Sequence, residues 1–208
     1  MDDFFARVTS RKHAWPAGRA DLHWHILHTP AAVGQLTDPY RELVDRPGLA
    51  WVEERWMHTT ILHGGPMQEY RPGEIDAILA RVRQECTAVE PFELTYDRPT
   101  PGTVAVERAA RPGAPGRRLW ELTARIDAEV TGNRFPLIPA AWYPHTSLAY
   151  GVSGPERPDR SAIKVALSDV QDGPVTLTVD RMALVAQSHD GRHITWEHLA
   201  DVSLGGSR

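Results

Sequence analysis

The sequence predicts an α+β fold built from antiparallel sheet and arranged as two related lobes. Three observations predict it. Strand-like stretches alternate apolar and polar residues, whereas the doubly covered strands of a parallel sheet read as continuous apolar runs. Amphipathic helices are interspersed among these strands. One nonapeptide occurs twice, 87 residues apart, with an amphipathic helix near each copy, which suits duplicated lobes better than a short-period solenoid. With 208 residues and 41% hydrophobic content, the chain can form one compact bilobed unit with a real core.

Taken in order, residues 1–20 are polar and contain Pro16 and Gly18, so they read as a loosely ordered lead-in to a domain spanning 21–208. Leu22, Trp24 and Ile26 alternate with His23, His25 and Leu27, as in a half-buried strand. A short helix is expected over Tyr40–Asp45, closed by Pro47-Gly48, followed by strands at Trp51–Val52 and Arg55–His63. After Pro72, Ile75, Ile78, Leu79, Val82, Cys86 and Val89 recur at helical spacing. Phe92–Tyr96 and Thr103–Glu107 read as strands, and the Pro, Gly, Ala and Arg of 109–118 as an exposed loop. Leu119, Leu122, Ile126 and Val130 mark a second amphipathic helix ending at Gly132-Asn133. A strand over Trp142–Tyr150, a helix within 154–169, and a hairpin of Val175–Ala186 and His193–Leu199 turning at Asp190-Gly191 complete the chain.

The repeated segments are Trp56-Met57-His58-Thr59-Thr60-Ile61-Leu62-His63-Gly64 and Tyr143-Pro144-His145-Thr146-Ser147-Leu148-Ala149-Tyr150-Gly151. Both read aromatic, any residue, His, Thr, a hydroxyl residue, Ile or Leu, any residue, a ring, Gly. The core pattern His-x-Thr/Ser is weak alone: ten histidines give about one match by chance, and a third copy stands at His193-Ile194-Thr195. The longer agreement, which His193 does not share, sets His58 and His145 apart.

The chemistry accounts for the spacing. Residues i and i+2 of a strand face the same side, so His58 projects with Thr60 and His145 with Ser147. If the lobes face each other, two imidazoles and two hydroxyls converge on one cleft. One imidazole can take a proton from the attacking oxygen while the other gives one to the leaving oxygen, and the hydroxyls can donate to the non-bridging oxygens of a phosphodiester. Trp56 and Tyr143, two residues before each histidine, could stack on a base. His25 or His23 is expected to face the cleft beside the pair. His193 is read as a strand residue without catalytic duty.

These residues resemble the paired motifs of the 2H phosphoesterase superfamily, most closely its 2′-5′ RNA ligase and RNA 2′,3′-cyclic phosphodiesterase branch. The resemblance runs from the Leu22 strand to the final hairpin. It implies the bilobed 2H phosphoesterase fold, two antiparallel sheets with outer helices around a central cleft. It further implies that His58 and His145 are catalytic and that Thr60 and Ser147 bind phosphate, with no metal or other cofactor. Analogy with the family's cyclic phosphodiesterases makes His145 the base and His58 the acid. Two features depart from the family: Thr follows the histidine in both copies, where an apolar residue is usual, and no basic residue follows either motif.

Net charge of −4 and a single cysteine, Cys86, bound the rest. A long nucleic acid normally meets a basic stripe, so a nucleotide, an RNA end or another small phosphoester is the expected partner, although Arg111, Arg117 and Arg118 form a local basic cluster. One cysteine allows no internal disulfide and, with no signal-like or membrane-spanning stretch, points to a cytoplasmic protein, expected to be a monomer. No Gly-rich triphosphate or dinucleotide loop is present. Three alternatives stand beside hydrolysis: the reverse ligation of RNA ends, a module that binds a phosphorylated ligand without turnover, and a metalloprotein using His23 and His25.

Overall fold

In the computed structural model, which describes residues 1–205, the first element is helix α1 (Phe4–Ser10), capped by the Asp3 carboxylate accepting from the Ala6 N–H at 2.8 Å. Residues 1–20 are therefore not a loose lead-in. Phe5, Val8 and Trp15 are buried, and these few anchors, hidden in a polar average, fasten the segment to the sheet.

Strand β1 (Asp21–Leu27), helices α2 (Pro30–Thr37) and α3 (Arg41–Val44) and strand β2 (Leu49–Trp51) lead to strand β3 (His58–Pro66) and helix α4 (Glu74–Cys86). The second half runs through β4 (Phe92–Tyr96), β5 (Thr100–Pro101), β6 (Ala105–Arg111), α5 (Gly113–Thr131), β7 (His145–Gly151), α6 (Arg160–Asp169) and β8 (Val175–Val179). Strands β9 (Arg181–His189) and β10 (Ile194–Ser203) return to the first half. The strand order is β10-β9-β1-β3-β7-β6-β4-β8, with β2 on β7 and β5 on β6, and the pairings are antiparallel. Along that path four strands lie on either side of one junction, where β3 meets β7 through the pair Thr59 and Thr146, and the short β2 and β5 join the second side.

Leu22, Trp24 and Ile26 of β1 pack with Ile78, Val82 and Cys86 of α4 and Leu119 and Ile126 of α5 in the main core. Burying each of the large side chains contributes roughly 1.5–3 kcal/mol, so the two helices hold the outer face of the sheet firmly and leave the inner face for the site. Tyr40, Val44, Ile163 and Leu167 form a second cluster against Val106 and Leu148.

Three local expectations are corrected. Residues 109–118 are not a loop: β6 runs to Arg111 and α5 begins at Gly113. The composition misleads because Gly116 is there for packing; a Cβ on it would fall 1.9 Å from the Trp142 indole. The stretch Val175–Ala186 is two strands, since β8 pairs with β4 in the second lobe and β9 with β1 in the first, the chain crossing over at Asp180. The strands carrying the repeat start at their histidines, because Glu54–Trp56 forms a 3₁₀ turn and Trp142–Pro144 precede β7.

Candidate active site

The junction between β3 and β7 brings the two repeats together. Antiparallel register about Thr59 and Thr146 sets His58 beside Ser147 and Thr60 beside His145 on neighbouring strands. The two threonines between them face the opposite side. The Thr59 hydroxyl lies 2.7 Å from the Tyr96 hydroxyl, and that of Thr146 donates to Met57 Sδ at 3.2 Å. Each polar group is satisfied, which is why Thr can stand where an apolar residue is usual.

The matched positions of the nonapeptide acquire physical reasons. His58 Nδ1 is 2.8 Å from the Trp56 carbonyl oxygen, and His145 Nδ1 is 2.9 Å from that of Tyr143. A carbonyl can only accept, so each Nδ1 carries the proton and each Nε2 is left to do chemistry. The sixth position is a bulge in both copies. His25 and Trp24 oppose Thr60 and Leu62, leaving Ile61 extra; Glu107 and Val106 oppose Ser147 and Ala149, leaving Leu148 extra. The extra residue flips the alternation and returns the eighth position, His63 or Tyr150, to the cleft face. At the ninth, a Cβ on Gly64 would sit 2.7 Å from the Tyr70 hydroxyl and one on Gly151 would sit 2.3 Å from the Asp2 carbonyl oxygen.

His58, Thr60, His145 and Ser147 line one cavity of about 360 Å³, together with Tyr143 and Glu107. The two histidines differ in setting. His58 is 9% exposed, and burial, opposed by the bond to Trp56 and reinforced by the neighbouring His145, pushes its pKa down to about 4. His145 is more open, with Nε2 3.7 Å from Glu107 Oε1 and the Tyr143 ring stacked on it at 5.3 Å.

Two expected substrate contacts fall outside the cavity. His25 is fully buried, its ring stacked on His58 at 4.1 Å, because the strand pairing puts it beside Thr60 beneath the surface of the cleft. Trp56 supplies its carbonyl to His58 but turns its indole onto Trp196, centroids 5.0 Å apart. His193 lies at the hairpin turn near Asp190. His23 does line the cavity, with Nδ1 3.0 Å from the Asp21 carbonyl and Nε2 3.1 Å from the Gln187 amide. Both ring nitrogens are thus engaged; among the described residues, those of His25 meet no polar partner and no three His, Cys, Asp or Glu side chains converge as a metal would require. Cys86 is buried, and burial pushes its thiol up to about 11.

Sequence reasoning missed Glu107, Trp196 and the lining contributed by residues 1–20. The ring at the eighth motif position was a visible signal for His63 and Tyr150. Glu107 carried none, because its role comes from the partner strand β6.

Residues 29–191 match the 2′-5′ RNA ligase superfamily. Among solved structures, the fold is similar to TT0787 of Thermus thermophilus (TM-score 0.64, 21% identity, 90% of this chain and 100% of that one). It is also similar to E. coli LigT complexed with 3′-AMP (0.59, 16%, 90% and 99%) and to the MHV ns2 PDE domain (0.53, 10%, 87% and 99%). No curated protein matches the chain in sequence. Among the described residues, no helix is long and apolar enough to cross a membrane.

Proposed function

Because the chain belongs to the 2′-5′ RNA ligase superfamily, a branch of the 2H phosphoesterases, we propose that it opens 2′,3′-cyclic phosphates of nucleotides or RNA ends by two-histidine acid–base catalysis. The observation that carries this reading is the matched pair of anchored imidazoles on neighbouring strands, each with Nε2 free, in one cavity with Thr60 and Ser147. That E. coli LigT has been solved with 3′-AMP, NADP+, ATP and phosphate supports a small phosphorylated ligand.

The two settings favour distinct roles, the reverse of those drawn by analogy with the family. His58, pushed down to about 4, is neutral at neutral pH with the Nε2 lone pair facing the cavity, and is assigned as the base. His145, more open and with Nε2 3.7 Å from Glu107 Oε1, stands across from it and is assigned as the acid, the carboxylate orienting the ring towards the leaving oxygen. His58 Nε2 takes a proton from water as the water oxygen bonds to phosphorus. The bond from phosphorus to one ribose oxygen breaks, and His145 Nε2 gives that oxygen its proton. The product is a phosphomonoester, and exchange with solvent restores both rings. The Thr60 and Ser147 hydroxyls donate to the non-bridging oxygens. Microscopic reversibility makes ligation of an RNA end the same path run backwards.

A panel of 2′,3′-cyclic nucleotides and cyclic-phosphate RNA ends assayed in EDTA tests this. Turnover in chelator is expected. Binding without turnover would favour the binding module, and activity restored only by zinc or manganese would favour a metal-dependent reaction at His23 and His25.

A further inference from the structure

The cavity does not end at the two histidines. It continues past His63 and Tyr150 to a wall supplied by residues 1–20, where Phe4, Val8, Arg11 and Trp15 line it. This segment precedes the part of the chain that matches the superfamily. Arg11 is the one Lys or Arg among the lining residues. Its Nε donates to the His13 carbonyl at 2.8 Å, and among the described residues the two terminal nitrogens of its guanidinium have no hydrogen-bond partner. The nearby carboxylate, Asp21, is already engaged: Arg19 holds both its oxygens at 2.7 Å and His63 Nε2 lies 2.8 Å from Oδ2.

The cavity is therefore polarised along its length. Glu107 stands at the reacting end beside His145 and repels a second negative charge there, while a cation with unused donors stands at the other end. With one residue bulged, the run from His58 to His63 along β3 spans roughly 13 Å, within reach of an extended nucleotide whose reacting phosphate lies between His58 and His145. Arg guanidinium suits phosphate through parallel charge-assisted hydrogen bonds. Between the ends, Phe4, Val8, Tyr150 and Ile194 offer an apolar wall.

We propose that residues 1–20 build a second anion subsite in this cavity, where Arg11 takes a further phosphate of the substrate, so that a cyclic phosphate bearing a 5′-phosphate is preferred over the bare nucleoside cyclic phosphate. This rests on the cyclic phosphodiesterase reading, and the test separates the two.

The first arm measures kcat/KM on adenosine 2′,3′-cyclic phosphate with and without a 5′-phosphate, in EDTA, for the wild type, Arg11→Gln and Arg11→Lys. The wild type is expected to favour the 5′-phosphorylated substrate about ten-fold or more, through KM. The ratio collapses towards one in Arg11→Gln and is partly kept in Arg11→Lys. A wild-type ratio near one, or an undiminished ratio in Arg11→Gln, overturns the subsite. The second arm needs no turnover: calorimetry of adenosine 3′,5′-bisphosphate against adenosine 3′-phosphate. Tighter binding of the bisphosphate by about ten-fold, lost in Arg11→Gln, supports the subsite even if neither cyclic substrate is turned over, a result that would sink the enzymatic reading alone. Equal affinities in the wild type overturn the subsite even if both substrates react.

Discussion

The His25 ring lies face to face with the His58 ring, centroids 4.1 Å apart and planes 21° from parallel, and Trp196 meets both edge-on at 5.2 and 4.9 Å. His25 is wholly buried, and among the described residues neither of its nitrogens has a hydrogen-bond partner. A buried polar atom left unpaired costs about 1–3 kcal/mol, so this residue weakens the fold at the spot where it supports His58. Replacing it with an apolar side chain of similar volume separates the two effects. His25→Leu is expected to raise stability by about 1–3 kcal/mol while lowering kcat about ten-fold, since the flat platform that fixes the imidazole is lost. Thermal unfolding and steady-state kinetics on the same preparation check it. Lower stability with unchanged kcat would remove His25 from any positioning role.

Substitution of the repeat itself should grade by chemistry. His58→Ala and His145→Ala each remove a proton transfer and should cut turnover by about 10²-fold or more. Thr60→Ala and Ser147→Ala each remove one hydrogen bond to the phosphate and should cost less, about ten-fold. Rates on a cyclic nucleotide, with circular dichroism to verify folding, decide. Equal losses at all four positions would argue that the cleft had collapsed rather than that the chemistry had been removed.

The buried histidines also set an acid limit on the fold. His58 is held at about 4 and His28 at about 3, and burial lowers His23, His25 and His63 as well. An unfolded histidine titrates near 6.5, so below that pH the unfolded chain binds protons that the fold refuses, and stability falls as pH drops. For His58 alone, the loss accumulating from pH 6.5 through 4 is ~3 kcal/mol. Asp127, raised by burial to about 6, works the other way, because its folded form keeps a proton and gains stability as pH falls. Five histidines outweigh one carboxyl. The melting temperature should therefore fall by several degrees between pH 7 and pH 5, and calorimetric scans across that window measure it. A Tm that is flat or rises towards pH 5 would contradict the assignment of these rings as neutral in the fold.

How much of this was legible in the sequence depended on whether the information was local. The strand carrying His23 and His25, the helix carrying Ile78 and Val82 and the paired nonapeptides announced themselves through periodicity and repetition, and each formed. The eighth position of the repeat was visible as a ring, but its use was not, because a strict two-residue alternation sends His63 and Tyr150 away from the cleft and only the bulges at Ile61 and Leu148 bring them back. The same alternation points His25 into the cleft, yet it lies one layer below His58. Residues 1–20 read as loose because a few buried anchors do not shift a polar average, and Gly116 reads as loop because its packing partner, Trp142, lies far along the chain. Glu107 reaches His145 from a neighbouring strand, a relation that only the sheet register reveals.

That carboxylate bears on the sharpest of the kinetic tests, the assignment of base and acid. In the free enzyme, a base held at about 4 should place the acidic limb of kcat/KM near pH 4, well below the 6.5 of an ordinary imidazole, with the profile already flat by about pH 6. The profile has to be measured within the pH range where the fold survives, with Tm recorded at each point. Glu107→Gln removes the carboxylate that lies 3.7 Å from His145 Nε2 and orients the ring, and should lower turnover several-fold at neutral pH without moving the acidic limb. A p-nitrophenyl phosphodiester, whose leaving group needs little protonation, then separates the two histidines: His145→Ala and Glu107→Gln should recover most of their rate on it, whereas His58→Ala should stay slow. The opposite pattern, rescue of His58→Ala alone, would restore the roles drawn from the family analogy and would mean that the bound phosphate overrides the effect of burial on His58. Equal rescue of both histidine variants would leave neither ring with a distinct role.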